Sequence, residues 1–280
     1  MVRGVALEVP PVALVFWRCV IGVSILVAVA WPHLRVELPV IRERWRMLLL
    51  CGFLHVILGN GMTVIGLHYT TVINASLMSA FLPAVTVTFA TLLGFDRVNR
   101  LQTAGIALSA VGVLILISRG EMATFANLDF GLGDLLILVS VISFSLYNAI
   151  VREAAPGMHL LSMTASVSAF GLLCVTPIFL WEHFTVAAAS FTAPLLIAAG
   201  YMGFFGTFLA MILWNRAVRS IGPARTGPLN NLGPVFGIVM GMVFLGEQLE
   251  TYHLAGMAVI GAGIYLATFL GRRWARSRAK

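Results

Sequence analysis

The chain has 280 residues, of which 60% are hydrophobic and only 10% charged, and its formal net charge is +7. A soluble domain carries about 25% charged residues, so this composition excludes a water-facing globular fold. With a mean hydropathy of +0.97, it reads as an integral membrane protein whose main partner is the lipid bilayer.

In chain order, apolar runs of the length that crosses a bilayer fall at 12–31, 47–66, 72–95, 101–118, 132–151, 160–181, 194–214, 223–245 and 251–271. Each run is continuous rather than alternating, which predicts helices and not barrel strands. The connections between them are short. Cys19, Cys51 and Cys174 are scattered through apolar runs without paired spacing, so they read as small buried packing residues.

Basic residues set the expected orientation. Arg35, Arg42, Arg44 and Arg46 occupy the 32–46 connection, and Arg97 and Arg100 follow the third run. Arg152, Arg216, Arg219, Arg225 and the tail RRWARSRAK at 272–280 complete the set. If the helices alternate, these share one side, while Glu8, Glu121, Asp129, Glu182, Glu247 and Glu250 lie on the other. The positive-inside rule then places the tail and the C-terminus in the cytoplasm. The net charge is thus a topology signal, and no nucleic-acid partner is expected. Nine spans put the N-terminus outside, yet MVRGVALEVPP lacks the pattern of a signal peptide.

An internal repeat bears on that start. FLPAVTVTFATLLGFDRVNRLQTAGIALSAVG at 81–112 aligns without a gap on LGPVFGIVMGMVFLGEQLETYHLAGMAVIGAG at 232–263, a shift of 151. Pro83 meets Pro234, Asp96 meets Glu247, Gly105 meets Gly256 and Gly112 meets Gly263. Asp96 falls on the basic side and Glu247 on the other, so the copies are inverted across the membrane. Inversion requires an odd number of helices per copy. The second copy, 132–271, holds five, and the first, 1–118, shows four. Residues 1–8 then read as the last turns of a first helix, with roughly 20 residues, one span's worth, expected upstream. The expected architecture is an all-α inverted five-helix repeat, a ten-helix carrier with nine spans visible. Inverted repeats characterise secondary transporters that work by alternating access.

The recurring pattern of Pro, apolar run, Gly-acid, spacer, Ala-Gly, apolar run and Gly resembles the EamA family of the drug/metabolite transporter superfamily. EVPPVALVFWR at 8–18 looks like that family's entry to its second helix, and GDLLILVSVISFSLYNAIVRE at 133–153 like the start of its second repeat. The resemblance covers nearly the whole chain. It implies a carrier of small metabolites, in many members an exporter of amino acids or related compounds, seated in a bacterial inner membrane.

Candidate residues follow from helical spacing. Ser76, Ser79, Pro83, Thr86 and Ala90 share one face of the third run. Gly227, Asn230, Pro234, Gly237 and Gly241 share the equivalent face of the eighth, with Asn231 beside it. Such small or polar faces serve close helix packing or a cavity wall, and both readings stand for Ser79 and Asn230. Gly237 and Gly241 form a small-xxx-small pair that reads as packing. Pro83 and Pro234 read as packed kinks or hinges that free a carbonyl one turn earlier. Asn60 in GNG, Asn74, Tyr147 and Asn148 are further polar groups in apolar runs, with Tyr147 on the face of Ser140 and Ser143. Arg18 is the basic residue set well inside a span. It would bind a substrate carboxylate or phosphate, snorkel outward, or pair with Glu8 or Asp134. No acidic residue is expected deep in a span.

The expected ligand is a small organic molecule, with no metal and no cofactor. The six histidines show no metal-ligand spacing, and His55 reads as a hydrogen-bonded packing residue. A nucleotide-sugar or lipid-linked carrier on the same fold would need a more basic cavity than Arg18 supplies. An intramembrane enzyme would need a nucleophile and base, or paired carboxylates, at depth. A homodimer stays open.

Overall fold

The computed structural model describes residues 11–95, 99–118, 131–185, 192–245 and 250–270. All elements there are helical: α1 (Pro11–Glu43), α2 (Trp45–Gly52), α3 (Met62–Tyr69), α4 (Val72–Ser79), α5 (Leu82–Leu92), α6 (Arg100–Ser118), α7 (Leu132–Ile150), α8 (Leu160–Thr185), α9 (Ala193–Tyr201), α10 (Ala210–Ile221), α11 (Pro223–Thr226), α12 (Leu232–Leu245) and α13 (Thr251–Tyr265). Wider π-helical turns join α2 to α3 (Phe53–Gly61) and α9 to α10 (Met202–Leu209), and a third extends α13 (Leu266–Leu270). A 3-10 segment, Gly227–Asn231, links α11 to α12. The helix ends Asp96 and Glu247, the start with Glu8, and the tail 272–280 lie outside the described residues.

Seven helices among the described residues are long and apolar enough to cross a membrane. This is a multi-pass membrane protein. The structure departs from the expected spans in two ways. First, 32–46 is largely helix, because α1 runs on to Glu43 through Pro32 and Pro39. Its 33 residues measure about 50 Å at 1.5 Å per residue, well beyond a hydrocarbon layer of about 30 Å. The surplus is the charged end, where Trp31, Val36 and Leu38 are exposed and the Arg35 guanidinium lies 4.6 Å over the Trp31 ring. Second, the runs 72–95 and 223–245 are each interrupted. The first breaks between Ser79 and Leu82, and the second is a short α11, a 3-10 turn and α12. Pro83 and Pro234 lie in the first turns of α5 and α12, where a missing N–H loses no helix bond. They start new helices rather than kinking continuous ones.

Contacts gather the chain into two compact units. One holds Met1–Ile65 with Ile150–Ser220, the other Gly66–Ala149 with Ile221–Lys280. Each takes helices from both halves of the sequence.

In the first unit α1 packs along α8. Leu26 and Ala30 meet Ala165, and Leu14 meets Phe179, so the two helices run antiparallel. Carboxylates close both ends. Glu182, near the end of α8, accepts the Ala13 N–H at 3.1 Å and that of Val12 at the start of α1. Glu37, near the end of α1, accepts the His159 N–H at 2.7 Å, just before α8. Anionic caps suit the positive end of a helix dipole. Two glycines let backbones meet: a Cβ on Gly22 would fall 2.8 Å from the Gly203 carbonyl oxygen, and one on Gly171 would fall 3.1 Å from that of Gly52.

In the second unit α6 and α13 cross through four glycines. A Cβ on Gly105 would fall 2.6 Å from the Gly263 oxygen, and one on Gly263 would fall 2.7 Å from the Gly105 oxygen. The same holds for Gly112 and Gly256, at 2.9 and 3.0 Å. As one helix advances from Gly105 to Gly112 the other retreats from Gly263 to Gly256, so they too are antiparallel. Around this seam Val113, Leu116, Ile260 and Ile264 are buried with Ala80.

Candidate functional site

The interrupted helices of the second unit meet at their breaks. Gly227 lies against Pro83, with room for a Cβ only 3.3 Å from the proline Cα. Leu229 and Leu232 pack against the buried cluster that holds Ala80. Of the residues proposed on these faces, Ser79 and Asn230 are exposed and Ser76 is half-buried. The Ser79 hydroxyl donates back to the Ala75 carbonyl at 2.8 Å. Asn231 is buried, and its Nδ2 donates to Ser109 Oγ at 3.0 Å, which ties the break to α6. Thr86 is fully buried on α5 with no hydrogen-bond partner for its hydroxyl among the described residues. Pro83 is buried and Pro234 half-buried. Gly237 and Gly241 lie in α12, but their surroundings are outside the described residues.

Asn74 belongs to a different cluster from the neighbouring serines. Asp134, in the first turn of α7, accepts the Thr70 hydroxyl at 2.5 Å and the Gly131 N–H at 2.7 Å. The Asn74 side chain is its third partner. This carboxylate is therefore committed to joining the ends of α3, α4 and α7. Further along α7, Ser140, Ser143, Ser145, Tyr147 and Asn148 are all buried. Tyr147 is 1% exposed, so it is a core residue and not an interfacial anchor. Ser145 donates to the Leu82 carbonyl at 3.1 Å, at the break between α4 and α5.

In the first unit Arg18 faces the wide turn between α2 and α3. It lies within electrostatic range of His55 and within hydrogen-bonding reach of the Cys19 thiol. Its Nε is buried without a hydrogen-bond partner among the described residues, and the residue as a whole is half-buried. Asn60 belongs to the same turn and donates to the His55 carbonyl at 2.8 Å. Arg18, His55 and Asn60 all belong to the first unit.

Three polar features were not expected. By sequence Glu182 falls in a connection, yet it lies inside α8 and is 8% exposed. Its signal was only its position directly after the apolar run 160–181. Asn215, fully buried, donates to Thr164 Oγ1 at 3.2 Å, and Ser168 donates to the Met211 sulfur at 3.0 Å. Both pairs repeat at a four-residue spacing, Thr164 to Ser168 and Met211 to Asn215, which marks one face of each helix. Arg219 reaches back from α10 to the Met158 carbonyl at 2.7 Å.

The EamA-like transporter family profile matches residues 1–118 and 131–269. The chain belongs to the EamA-like transporter family. Among its relatives is the Bacillus subtilis (strain 168) protein YyaM, described as an uncharacterized transporter. It is 22% identical over 90% of this chain and 82% of its own length. A Salmonella typhimurium protein described as a probable amino-acid metabolite efflux pump is 27% identical, over 62% of this chain and 60% of its own length. The Escherichia coli (strain K12) inner membrane transporter YedA is 24% identical over 78% of this chain and 69% of its own length. One solved structure superposes with a TM-score of 0.78 at 20% identity, covering 98% of this chain and 93% of that one, and shows the same fold. EamA-like membership and these helices agree on a membrane transporter.

Proposed function

We propose that this chain is a secondary transporter that exports small organic metabolites, amino acids or related compounds, by alternating access between two inverted repeats. The observation that carries the reading is the glycine seam. Gly105 corresponds to Gly256 and Gly112 to Gly263 in the repeat register, and the contacts run from Gly105 to Gly263 and from Gly256 to Gly112. Each contact is the image of the other, the signature of a two-fold relation. Because the mates are antiparallel, the relation turns the repeat upside down, as alternating access requires. The wide turns and the helix breaks recur at corresponding places in both halves, which supports the same reading.

On this reading the first repeat spans 1–118 and the second 132–271, with ten helices in the complete carrier. The C-terminus and its basic tail face the cytoplasm of a bacterial inner membrane. The name of the Salmonella relative, an amino-acid metabolite efflux pump, supports the substrate class. Ser76, Ser79 and Asn230, beside the helix breaks, are the polar groups of the second unit assigned to the substrate path. Transport, rather than bond-breaking chemistry, is the assigned activity.

The test is export from cells that lack their own amino-acid exporters. Cells expressing the full chain should resist toxic amino-acid analogues and lose preloaded radiolabelled amino acids faster than cells carrying an empty vector. Equal resistance and equal efflux across amino acids, analogues and cationic drugs would remove the exporter assignment. A C-terminal green fluorescent protein fusion that fluoresces would agree with a cytoplasmic tail, and a dark one would reverse the orientation.

A further inference from the structure

We infer that Trp31, Arg35, Leu38 and Arg42 form a headgroup-binding stripe on the outer face of α1, and that the phosphates of anionic phospholipids occupy it. The inference concerns the membrane around the carrier, so its readout needs no transport.

The stripe follows from helical spacing. α1 continues as one helix to Glu43, and these four residues recur at intervals of four, three and four, which is one face. All four are exposed. The opposite face is committed to the protein. His33 stacks on His159 with ring centroids 3.8 Å apart, and Leu34 packs against the buried cluster of Leu26, Ala30 and Ala165. Glu37 accepts the His159 N–H. These contacts fix the stripe on the side away from α8.

Its height follows from how α1 and α2 rejoin. Val15 and Cys19 share a buried cluster with Val56 and Ile57. From Cys19 to Arg44 a straight helix would measure about 38 Å, while the way back from Arg44 to Val56 measures about 18 Å. Packed helices stand only about 10 Å apart, so a straight α1 would overshoot the start of α2. α1 is therefore bent. Pro32 and Pro39 lie inside it, and prolines are where helices kink. The charged end leans toward the start of α2 instead of rising into water. Arg35 lies about 6 Å beyond Trp31 along the axis, within a headgroup layer of about 5–8 Å on each side of the hydrocarbon.

Charge and composition name the occupant. The stripe holds two arginines and no carboxylate. Glu37 is engaged with α8, and Glu43 pairs with Arg44 at 3.7 Å. Arg35 and Arg42 have no ion pair among the described residues. The Arg35 guanidinium lies 4.6 Å over the Trp31 ring, and at the start of α2 Arg46 lies 5.6 Å over the Trp45 ring. A ring orients the cation without neutralising it, so the N–H groups stay available for phosphate oxygens. An exposed leucine is unfavourable in water and an arginine is unfavourable in hydrocarbon. A face that mixes both with tryptophan fits the boundary between them. Arginines clustered beside a transmembrane helix attract anionic headgroups.

The test is lipid binding by the purified full chain in detergent, counted by native mass spectrometry with phosphatidylglycerol and phosphatidylcholine of matched acyl chains. Wild type should retain phosphatidylglycerol in preference. R35Q and R42Q should each weaken that binding about fivefold, the factor that roughly 1 kcal/mol per arginine at an anionic surface gives. R152Q, which removes an exposed arginine paired with Glu153, should match wild type. Phosphatidylglycerol should also raise the melting temperature of wild type more than phosphatidylcholine does. Added salt should shrink that difference, a readout that needs no variant. Equal binding of the two lipids by wild type, or an unchanged preference in monodisperse R35Q/R42Q, would overturn the site. So would an equal effect of R152Q, which would make the attraction a property of the whole basic flank. Displacement of the lipid by soluble glycerol phosphate would make the stripe an anion site and not a lipid surface. A lipid-independent dimer that R35Q/R42Q turns into a monomer would put a second copy on it. Either result overturns the inference.

Discussion

Gly105→Ala separates close helix packing from simple helix preference. At Gly105 an added Cβ would lie 2.5 Å from the Ala267 nitrogen and 2.6 Å from the Gly263 oxygen, both backbone atoms. Ordinary contact begins near 3.4 Å, so α6 and α13 must part by most of an ångström. Forcing one methyl into such a seam costs about 1–3 kcal/mol. The gain in helix propensity from Gly to Ala offsets at most about 1 kcal/mol. The net loss of about 1–2 kcal/mol should lower the apparent melting temperature by roughly 2–8 °C. Gly256→Ala is the internal control, because the same methyl first meets the Leu116 side chain, which can swing, and the Gly112 oxygen lies at 3.0 Å. There propensity and crowding should nearly cancel. The assay is fluorescence-detected size exclusion of the detergent-solubilised protein after heating. An unchanged melting point for Gly105→Ala would refute the close-packed seam, and an equal fall for Gly256→Ala would show that Leu116 does not yield.

Glu182→Gln removes a charged cap from the start of α1 and should cost about 1–2 kcal/mol, read as a lower melting temperature. Glu37→Gln, which removes the charge behind a single capping bond on a less buried side chain, should cost less in the same assay. Asp134→Ala strands the Thr70 hydroxyl and the Gly131 N–H at once and should cost about 2–3 kcal/mol or more. Its yield of monodisperse protein should fall below that of Asp134→Asn, which keeps one acceptor. Asn231→Ala should cost about 1 kcal/mol, because Ser109 keeps its bond to the Ile106 carbonyl.

The apolar runs were legible because lipid demands about 20 apolar residues per crossing and internal satisfaction of every backbone group. The glycine register was legible for a related reason: glycines at Gly105, Gly112, Gly256 and Gly263 stand out where bulky residues would otherwise fill a helix. The extension of α1 past Trp31 was hidden, since Pro32, Pro39 and four arginines near by look like a connection and nothing local says that the helix continues. The breaks after Ser79 and around Gly227 were half visible in Pro83 and Pro234, but a proline in a run does not say whether it kinks one helix or starts another. The engaged carboxylates were beyond reach. Glu182 meets Ala13 across 169 positions and Glu37 meets His159 across 122, and no periodicity encodes such pairings.

Those two carboxylates bear on why the compact units cut across the sequence repeats. In the second unit α6 and α13 meet at glycines that share the 151-residue register. In the first unit Gly22 meets Gly203 and Gly171 meets Gly52. The mate of Gly203 in the repeat register is Gly52, while Gly22 stands 149 and not 151 positions before Gly171. The first-unit glycines are thus offset by two residues from the 151-residue register and still meet in pairs. The end caps follow the same logic with different residues, Glu182 on Ala13 and Glu37 on His159. Side-chain identity is kept at the four glycines of α6 and α13, where the two backbones approach most closely.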